Sequence, residues 1–251
     1  MKKILLPNVT LLSASSVNIE ATVKALEYSC RKIEFGKVVL LSHEKPPILS
    51  EKKFNKIAFI QIPKLNNIND FNKFLVYDLY KYVDTDFILQ IHYDGFVVHP
   101  ELWSNDFLTY DYIGSPWREA DWFICPNGEM SRVGNSVGIR SKKLLEMPSR
   151  LGLEFTPNIN GLFNEDTFLC VSVKEILEKN GCTFAPLSVA ARFGKEMVIP
   201  ENKGKKTFLF HKWWEENRNY PDFRKTFIQR WEIRCKDFIR AILRVFFPDI
   251  F

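Results

Sequence analysis

The chain has 251 residues and a mass of 29.5 kDa, with 46% hydrophobic and 26% charged residues. This size and composition are typical of one large globular domain or two small ones, and they exclude a disordered or fibrous protein. No apolar run approaches the roughly 20 residues that a membrane-spanning helix needs. The net charge of +5 is unevenly placed: residues 1–200 hold 23 basic and 23 acidic residues, whereas residues 201–251 hold 12 and 7.

Five cysteines are scattered along the chain without a C-x-x-C pair. This spacing predicts free thiols in a reducing compartment rather than a disulfide framework or a zinc site. The two N-terminal lysines and the apolar residues after them are similar to the start of a signal peptide, but Pro7 and Asn8 interrupt the apolar run. We therefore expect a cytoplasmic protein.

The first third of the chain alternates short apolar runs with segments of helical spacing. Strands are predicted over residues 9–14, 38–41, 57–60 and 87–91, and helices over residues 18–33 and 69–83. Apolar strands joined by helices predict an α/β fold whose mainly parallel sheet is covered on both faces. Ligands bind beyond the carboxyl ends of such strands, so the residues that follow Ile91 are the first candidates for a site.

His92 and Asp94 follow the fourth predicted strand directly and precede Gly95. An imidazole and a carboxylate at this spacing could hold a divalent ion against a diphosphate, and a glycine would let the backbone approach a ligand. The alternative is that Asp94 caps a turn and His92 is a core side chain, because Asp-Gly is a common turn signal.

Two later segments are interpreted as loops. Residues 110–117 are rich in aromatic and turn-forming residues, which suits either the faces of sugar rings or ordinary core packing. Residues 133–141 have the glycine content of a loop that passes near a ligand, but they match neither a Walker loop nor a dinucleotide fingerprint.

Glu165 and Asp166 precede an apolar stretch of helical spacing. Acidic residues are favourable in the first turn of any helix, and this alone could explain both. The alternative is that one carboxylate is a general base at the edge of a cleft. His211, which follows Phe208-Leu209-Phe210, could be a third metal ligand, a donor to phosphate or a surface residue.

Taken together, these segments resemble an uncharacterised glycosyltransferase-like family of bacterial polysaccharide loci. That family has the approximate motifs Q-x-D-G-F, Y-D-Y-I-G-A-P-W, V-G-N-G-G-F-S-L-R-S, E-D and F-x-F-H, in this order. The counterparts here are residues 92–96, 110–117, 133–141, 165–166 and 208–211, and seven of the eight positions in the second motif match. The order and spacing hold from about Val9 to His211.

The resemblance implies an α/β fold of the GT-A type, with a Rossmann-like, mixed but mainly parallel sheet flanked by helices, over residues 1–215. It implies Mn²⁺ or Mg²⁺ bound by Asp94 and His211, with His92 beside them. Asp166 would be the catalytic base, and Glu165 would orient or assist it. The implied donor-binding and acceptor-binding residues are Ser13, His92, Tyr93, Gly95, Tyr112, Gly114, Trp117, Gly134, Asn135 and Arg140.

The sequence departs from the family pattern at two places. His92 stands where the family has glutamine and where a D-x-D motif has its first acid, so a two-carboxylate metal site is absent. Ser136-Val137 stands where the family has two glycines, which predicts a bulkier wall near the acceptor. Both departures keep open an alternative function as a catalytically silent sugar-binding or scaffold subunit of a polysaccharide assembly complex.

The charge excess falls on a segment predicted as a C-terminal appendage, residues 216–251. Over residues 223–247, phenylalanine and tryptophan fall on one side of a helical projection and arginine mostly on the other. Such a helix could lie on an anionic membrane surface or pack on the domain with a solvated basic face. Nucleic acid is not an expected partner, since the rest of the chain is neutral and has no binding motif.

The sequence and the resemblance together predict an inverting, metal-assisted glycosyltransferase. We expect a nucleotide-sugar donor, with a UDP-sugar as the first candidate, and a glycan or lipid-linked acceptor of surface-polysaccharide synthesis, such as lipopolysaccharide or capsule. The expected location is the cytoplasm or the inner face of the cytoplasmic membrane.

Overall fold

The computed structural model describes residues 3–225, and these form a mixed α/β structure with two sheets. The strands are β1 (Ile4–Ala14), β2 (Ile33–Ser42), β3 (Ala58–Gln61), β4 (Phe87–Gln90), β5 (Gly95–Val97), β6 (Tyr112–Pro116), β7 (Val133–Ser141), β8 (Gly194–Lys195) and β9 (Leu209–His211). The helices are α1 (Ile19–Ser29), α2 (Ile68–Tyr77), α3 (Lys142–Arg150), α4 (Glu165–Thr167), α5 (Lys174–Lys179) and α6 (Leu187–Phe193). The amphipathic helix predicted over residues 223–247 lies outside the described residues from 226 onward.

The larger sheet has the strand order β3-β2-β1-β4-β7-β6. Its first four strands are parallel, whereas β7 runs antiparallel to both β4 and β6. The helices lie on both faces: α1 packs into the core cluster that contains Leu11 and Leu40, and α2 packs into the one that contains Leu12 and Leu41. Alternate residues of the buried strands thus fill opposite faces. The predicted mainly parallel α/β sheet flanked by helices is confirmed.

The boundaries of the first elements differ from those predicted. Ile33 has the apolar spacing of the first helix, but α1 ends at Ser29 and Ile33 begins β2, where it pairs with Ile4. The α2 helix ends at Tyr77 and is followed by a 3₁₀ turn over Leu79–Tyr82. At Ile33 the apolar position fits either a helix or a strand, and the pairing with Ile4 decides for the strand.

The two segments interpreted as loops are strands, so that prediction is wrong. In the larger sheet, β6 covers most of the aromatic segment and β7 covers the glycine-rich one. Gly114 of β6 lies opposite Gly138 of β7, and a Cβ on Gly138 would overlap the carbonyl oxygen of Ile113. The glycines therefore allow two backbones to approach closely rather than leaving room for a ligand.

The smaller sheet, of order β5-β9-β8, brings the end of the described chain back to the turn after β4. Gly95, the first residue of β5, pairs with His211, the last residue of β9. Phenylalanine rings fill the space under this sheet, among them Phe96 and Phe210, whose centroids are 4.9 Å apart. This pairing places His211 beside the residues that follow β4.

Residues just beyond the predicted domain end at 215 also pack on this core. Asn217 is buried and donates to the backbone carbonyls of Lys195 and His211, and the Phe223 ring contacts those of Tyr28 and Phe96. None of the helices in residues 3–225 has the length and apolar content that crossing a bilayer requires.

Candidate functional site

A cavity of about 660 Å³ opens at the carboxyl ends of β1 and β4. Such an edge of a parallel sheet is where α/β proteins bind ligands, and the volume suits a ligand of nucleotide size. Several residues predicted for the site line this cavity: Ser13, His92, Tyr93, Asp94, Trp117, Glu165, Asp166 and His211. The fold thus brings together residues from both sheets and from the turn at α4.

His92, Asp94 and His211 form one cluster in the cavity wall. Each offers a ligand atom, and these atoms all lie within 4.8 Å of one another. Two ligands of one ion lie at most about 4.4 Å apart when each bond is near 2.2 Å, so small side-chain rotations would close the cluster around a cation. Two imidazoles and one carboxylate suit Mn²⁺, Fe²⁺ or Zn²⁺ better than Mg²⁺, which prefers oxygen ligands.

The buried imidazole of His211, which lacks hydrogen-bond partners within residues 3–225, supports the interpretation of the cluster as a cation site. The residue is only 7% exposed, yet neither ring nitrogen has a hydrogen-bond partner among the described residues, and Nε2 lies 3.8 Å from Asp94 Oδ1. A buried imidazole without partners is costly unless something else occupies its lone pair. Gly95 is needed for this arrangement, because a Cβ there would come within 2.7 Å of the His211 ring and of Val137.

The protonation states in the cluster also favour a cation. Burial and, to a smaller extent, the nearby His211 together lower the pKa of His92 to about 3, so His92 is neutral and its lone pair is available near pH 7. Burial alone would raise the pKa of Asp94, but the neighbouring histidines and Lys212 outweigh burial and leave it below its usual value. Asp94 is therefore ionised.

Lys212 was not predicted as a site residue, although it lines the cavity and follows His211 directly. Its backbone has φ 63°, a left-handed conformation that is unusual for a lysine. In this conformation its amide donates to the Asp94 carbonyl and its ammonium donates to Asp94 Oδ2. A half-exposed cation thus lies at the same wall as the histidines, where it could meet a phosphate.

Asp166 lines the same cavity and is the carboxylate with the strongest tendency to hold a proton near neutral pH. Burial, together with the negative charges of Glu165 and Glu196, raises its pKa to about 7, although Arg140 and the Thr167 amide oppose this shift. Its Oδ1 accepts from the Thr167 amide at 2.8 Å, and no described residue donates to Oδ2. Such a carboxyl group is suited to exchange a proton with a ligand.

Glu165 is held in a buried ion pair rather than free in the cavity. Its Oε1 accepts from Arg140 at 2.6 Å and its Oε2 accepts from Ser136 at 2.7 Å. Arg140 also donates to the backbone carbonyls of Ser136 and Asn135, so its guanidinium is satisfied while only 2% exposed. The pair joins β7 to α4 and fixes the backbone that carries Asp166.

The helix predicted to begin at Glu165 and Asp166 is divided into short pieces in the structure. The α4 helix has three residues and continues into a π-helical turn over Phe168–Ser172, before α5 begins at Lys174. A three-residue helix has too small a dipole to explain two acidic residues. The ion pair accounts for Glu165, and the cavity accounts for Asp166.

An aromatic wall forms another side of the cavity and consists of Trp117, Trp122 and Phe123. The Trp117 and Phe123 rings are stacked with centroids 4.0 Å apart, and Trp122, which is 72% exposed, packs edge-on against Phe123. Gly134 lies under Trp117, where any Cβ would overlap the indole. The wall therefore presents a rigid apolar surface with an exposed indole.

Other residues predicted to bind donor or acceptor do not line the cavity but lie behind its wall. These are Gly95, Tyr112, Gly114, Gly134, Asn135 and Arg140. Tyr112 donates to the carbonyl of Asn135 at 2.7 Å, and Asn135 donates to Glu196, so both hold the β7 backbone in place. Of the departures from the family pattern, Ser136 faces the cavity and Val137 is fully buried in the core.

A family comparison covers most of the domain. Residues 55–211 match the model of a family described as protein of unknown function, DUF5672. No curated protein is significantly similar to the chain in sequence.

Three solved structures illustrate the likeness to known folds. TarS of S. aureus is 14% identical at a TM-score of 0.47, with 84% of this chain and 37% of that chain covered. GlyE of Streptococcus pneumoniae TIGR4 is 12% identical at a TM-score of 0.42, with 86% of this chain and 57% of that chain covered. The mannosyltransferase PcManGT of Pyrobaculum calidifontis was solved with GDP-Man and Mn²⁺. It is 11% identical at a TM-score of 0.39, with 71% of this chain and 55% of that chain covered. The chain thus spans less than two thirds of their length, and such scores carry no information on activity.

The buried ion pair gives a testable expectation about stability. We expect Glu165→Gln to lower the free energy of unfolding by about 3–5 kcal/mol, because it leaves the Arg140 charge buried without its partner. The matched control is Glu175→Gln, which removes the exposed pair with Lys179 and should change stability by less than about 1 kcal/mol. Urea unfolding followed by circular dichroism measures both, and equal losses would contradict the role assigned to the buried pair.

Proposed function

The chain belongs to the DUF5672 family, and we propose that it is an inverting, metal-assisted glycosyltransferase with a GT-A-type arrangement of its site. The observation that carries the proposal is one cavity lined by both the His92–Asp94–His211 cluster and Asp166. A candidate cation site and a candidate general base in one cleft are what transfer from a diphosphate leaving group requires. The motif order that resembles glycosyltransferase-like domains supports the same conclusion.

The cation cluster and Lys212 would bind the diphosphate of a nucleotide-sugar donor. When bound, a divalent cation such as Mn²⁺ would stabilise the negative charge that develops on the departing nucleoside diphosphate. Asp94, ionised, and the neutral His92 would hold that cation together with His211. The Lys212 ammonium, now on Asp94, lies where it could contact a phosphate oxygen. A UDP-sugar is the first candidate donor.

Asp166 would act on the acceptor hydroxyl. The acceptor oxygen attacks the anomeric carbon and forms the new glycosidic bond, the bond to the diphosphate oxygen breaks, and the hydroxyl proton passes to Asp166. Because attack and departure occur on opposite faces of the sugar, this single displacement inverts the anomeric configuration. A pKa near 7 suits a group that must accept a proton at neutral pH.

The aromatic wall supports a glycan or lipid-linked acceptor. Rings such as Trp122 offer flat apolar faces to the C–H groups of a sugar, and the polar groups of the opposite wall can meet its hydroxyls. The alternative of a catalytically silent sugar-binding subunit would need no general base. The departures from the family pattern leave the candidate residues in place: His92 joins the cation cluster, Val137 is buried in the core, and Ser136 faces the cavity and donates to Glu165.

We propose that the predicted tail, residues 223–251, binds the anionic surface of a membrane through its part beyond Lys225, since Phe223 packs on the core. The proposal rests on the sequence pattern, in which basic residues fall mostly on the opposite side of a helical projection from phenylalanine and tryptophan. It would hold the transfer domain at the inner face of the cytoplasmic membrane, near a lipid-linked acceptor.

Replacement of the base tests the mechanism. Asp166→Asn should lower transfer, or hydrolysis of the donor, by about 10²–10⁴-fold while Mn²⁺ binding persists, since an amide cannot take the acceptor proton. The wild-type rate should fall as the pH is lowered through about 7, because Asp166 is then protonated. The assay is release of nucleoside diphosphate from a panel of nucleotide sugars.

The matched control is Asp121→Asn, an exposed acid beside the aromatic wall, which should leave the rate unchanged. Wild-type turnover by Asp166→Asn would exclude this base. If the wild-type protein binds a nucleotide sugar but releases no diphosphate with any member of the panel, with or without Mn²⁺, the silent binding subunit is the better description.

Metal titration tests the cluster independently of turnover. We expect Mn²⁺ to bind more tightly than Mg²⁺ and to raise the melting temperature, because two of the three ligands are imidazoles. Asp94→Asn and His211→Ala should each abolish this rise, whereas His43→Gln, a histidine outside the cluster, should retain it. Equal Mn²⁺ stabilisation of the wild type and of Asp94→Asn would contradict the assignment.

Vesicle co-sedimentation tests the tail. The full chain should bind vesicles that contain anionic lipid and lose this binding as salt is raised, since the attraction is electrostatic. The comparison protein should end at Lys225, because Phe223 packs on the core and an earlier end would disturb the fold. Equal binding by both proteins would exclude the tail as the membrane contact.

A further inference from the structure

The His211 ring lies between two carboxylates. Its Nε2 is 3.8 Å from Asp94 Oδ1 on the cavity side, and its Nδ1 is 3.6 Å from Glu196 Oε1 on the other side. Neither distance is a hydrogen bond, and both ring nitrogens are buried without a partner among the described residues. A shift of about 0.5 Å would bring Nδ1 into hydrogen-bond range of Glu196.

The pairing of β8 with β9 and a contact with Asn135 hold Glu196 at this position. Glu196 follows β8 directly, and β8 pairs in parallel with β9, so that Lys195 lies opposite Phe210 and Glu196 comes beside His211. The Oε2 atom of Glu196 accepts from the Asn135 side-chain amide. One carboxylate oxygen is thus anchored, and the other is directed to the imidazole.

Asn135, a residue of β7, is itself held by several contacts. It has φ 105°, a strained backbone conformation for a residue with a side chain, and it is almost fully buried. Its Oδ1 accepts from the Val137 amide at 2.9 Å, and its carbonyl accepts from Tyr112 and Arg140. These contacts compensate for the strain and aim the Asn135 amide at Glu196.

We propose that Glu196 is a positioning residue for the cation site: it accepts a hydrogen bond from the Nδ1–H of His211 and so leaves the Nε2 lone pair facing the cation position beside Asp94 and His92. A carboxylate on the far nitrogen of a ligating histidine fixes the tautomer and ring orientation and makes the other nitrogen a better donor. The inference deepens the proposed function, since it concerns the same cation site. It is independent of donor, acceptor and turnover.

The arrangement also explains why Glu196 is not itself a fourth ligand. The ligand atoms of His92, Asp94 and His211 lie within 4.8 Å of one another, and Glu196 does not belong to that set. One of its oxygens is occupied by Asn135, and the other faces the side of the ring that points away from Asp94. Its contact with the site therefore passes through the imidazole.

The test measures the tautomer of His211 and the Mn²⁺ affinity of the full chain. In the metal-free wild type, ¹⁵N spectra of labelled histidine should show His211 protonated on Nδ1, and in Glu196→Ala this preference should be lost. Mn²⁺ affinity by calorimetry should fall about 10–100-fold in Glu196→Ala, the usual effect of removing such a partner. Glu196→Gln keeps an acceptor oxygen and should lose less than Glu196→Ala.

The matched control is Glu216→Gln, which removes the ion pair with the neighbouring Lys195 but does not touch His211. It should change neither the tautomer nor the affinity. An unchanged tautomer in Glu196→Ala would overturn the proposal even if the protein bound no Mn²⁺ at all, and so would an unchanged affinity. If Glu196→Ala does not fold, Glu196→Gln decides by the same two readouts, and wild-type values for both would overturn the proposal.

Discussion

The site depends on the buried ion pair between Arg140 and Glu165. Two charges that are almost fully removed from water are tolerated only because each is also hydrogen-bonded, Arg140 to two backbone carbonyls and Glu165 to the Ser136 hydroxyl. The pair joins a strand of the sheet to a turn that has very little helix of its own. It thereby adds a polar link to a segment whose next residues, Phe168 and Leu169, pack in a core cluster.

The same pair also adjusts the chemistry of its neighbour. The Glu165 charge adds to burial in raising the pKa of Asp166, whereas the histidines and Lys212 lower that of Asp94. Two carboxyl groups in one cavity are thus shifted in opposite directions by their surroundings. Such a separation assigns different roles to chemically identical groups, one as a permanent anion and the other as a group that exchanges protons.

The sequence predicted a part of each of the four parallel strands of the larger sheet, because apolar runs lie within β1 to β4. It did not predict β6 and β7, where glycine and aromatic residues dominate, since the value of Gly114 and Gly138 lies in their opposition across two strands. That relation is not visible along the chain. The apolar spacing after Asp166 also did not show that the helical stretch is divided into α4, a π-helical turn and α5.

For the site, position after a strand made His92 and Asp94 candidates, and the motif resemblance added Asp166 and His211; all four line the same cavity. Residues whose contacts depend on distant segments were missed. Lys212 meets Asp94, and Glu196 meets Asn135, only after the smaller sheet has formed. Gly95 was expected to admit a ligand, but the space it leaves is filled by the His211 ring. These contacts join residues that are far apart in the sequence, so only the folded structure shows them.

The pairing of β5 with β9 has a consequence for synthesis. Domains emerge from the ribosome with the N-terminal part first, so Asp94 leaves the ribosome long before His211, the last residue of β9. A nascent chain that has already formed β1 to β4 therefore holds only two of the three clustered side chains. The cluster of His92, Asp94 and His211 becomes complete only when the far end of the domain has left the ribosome.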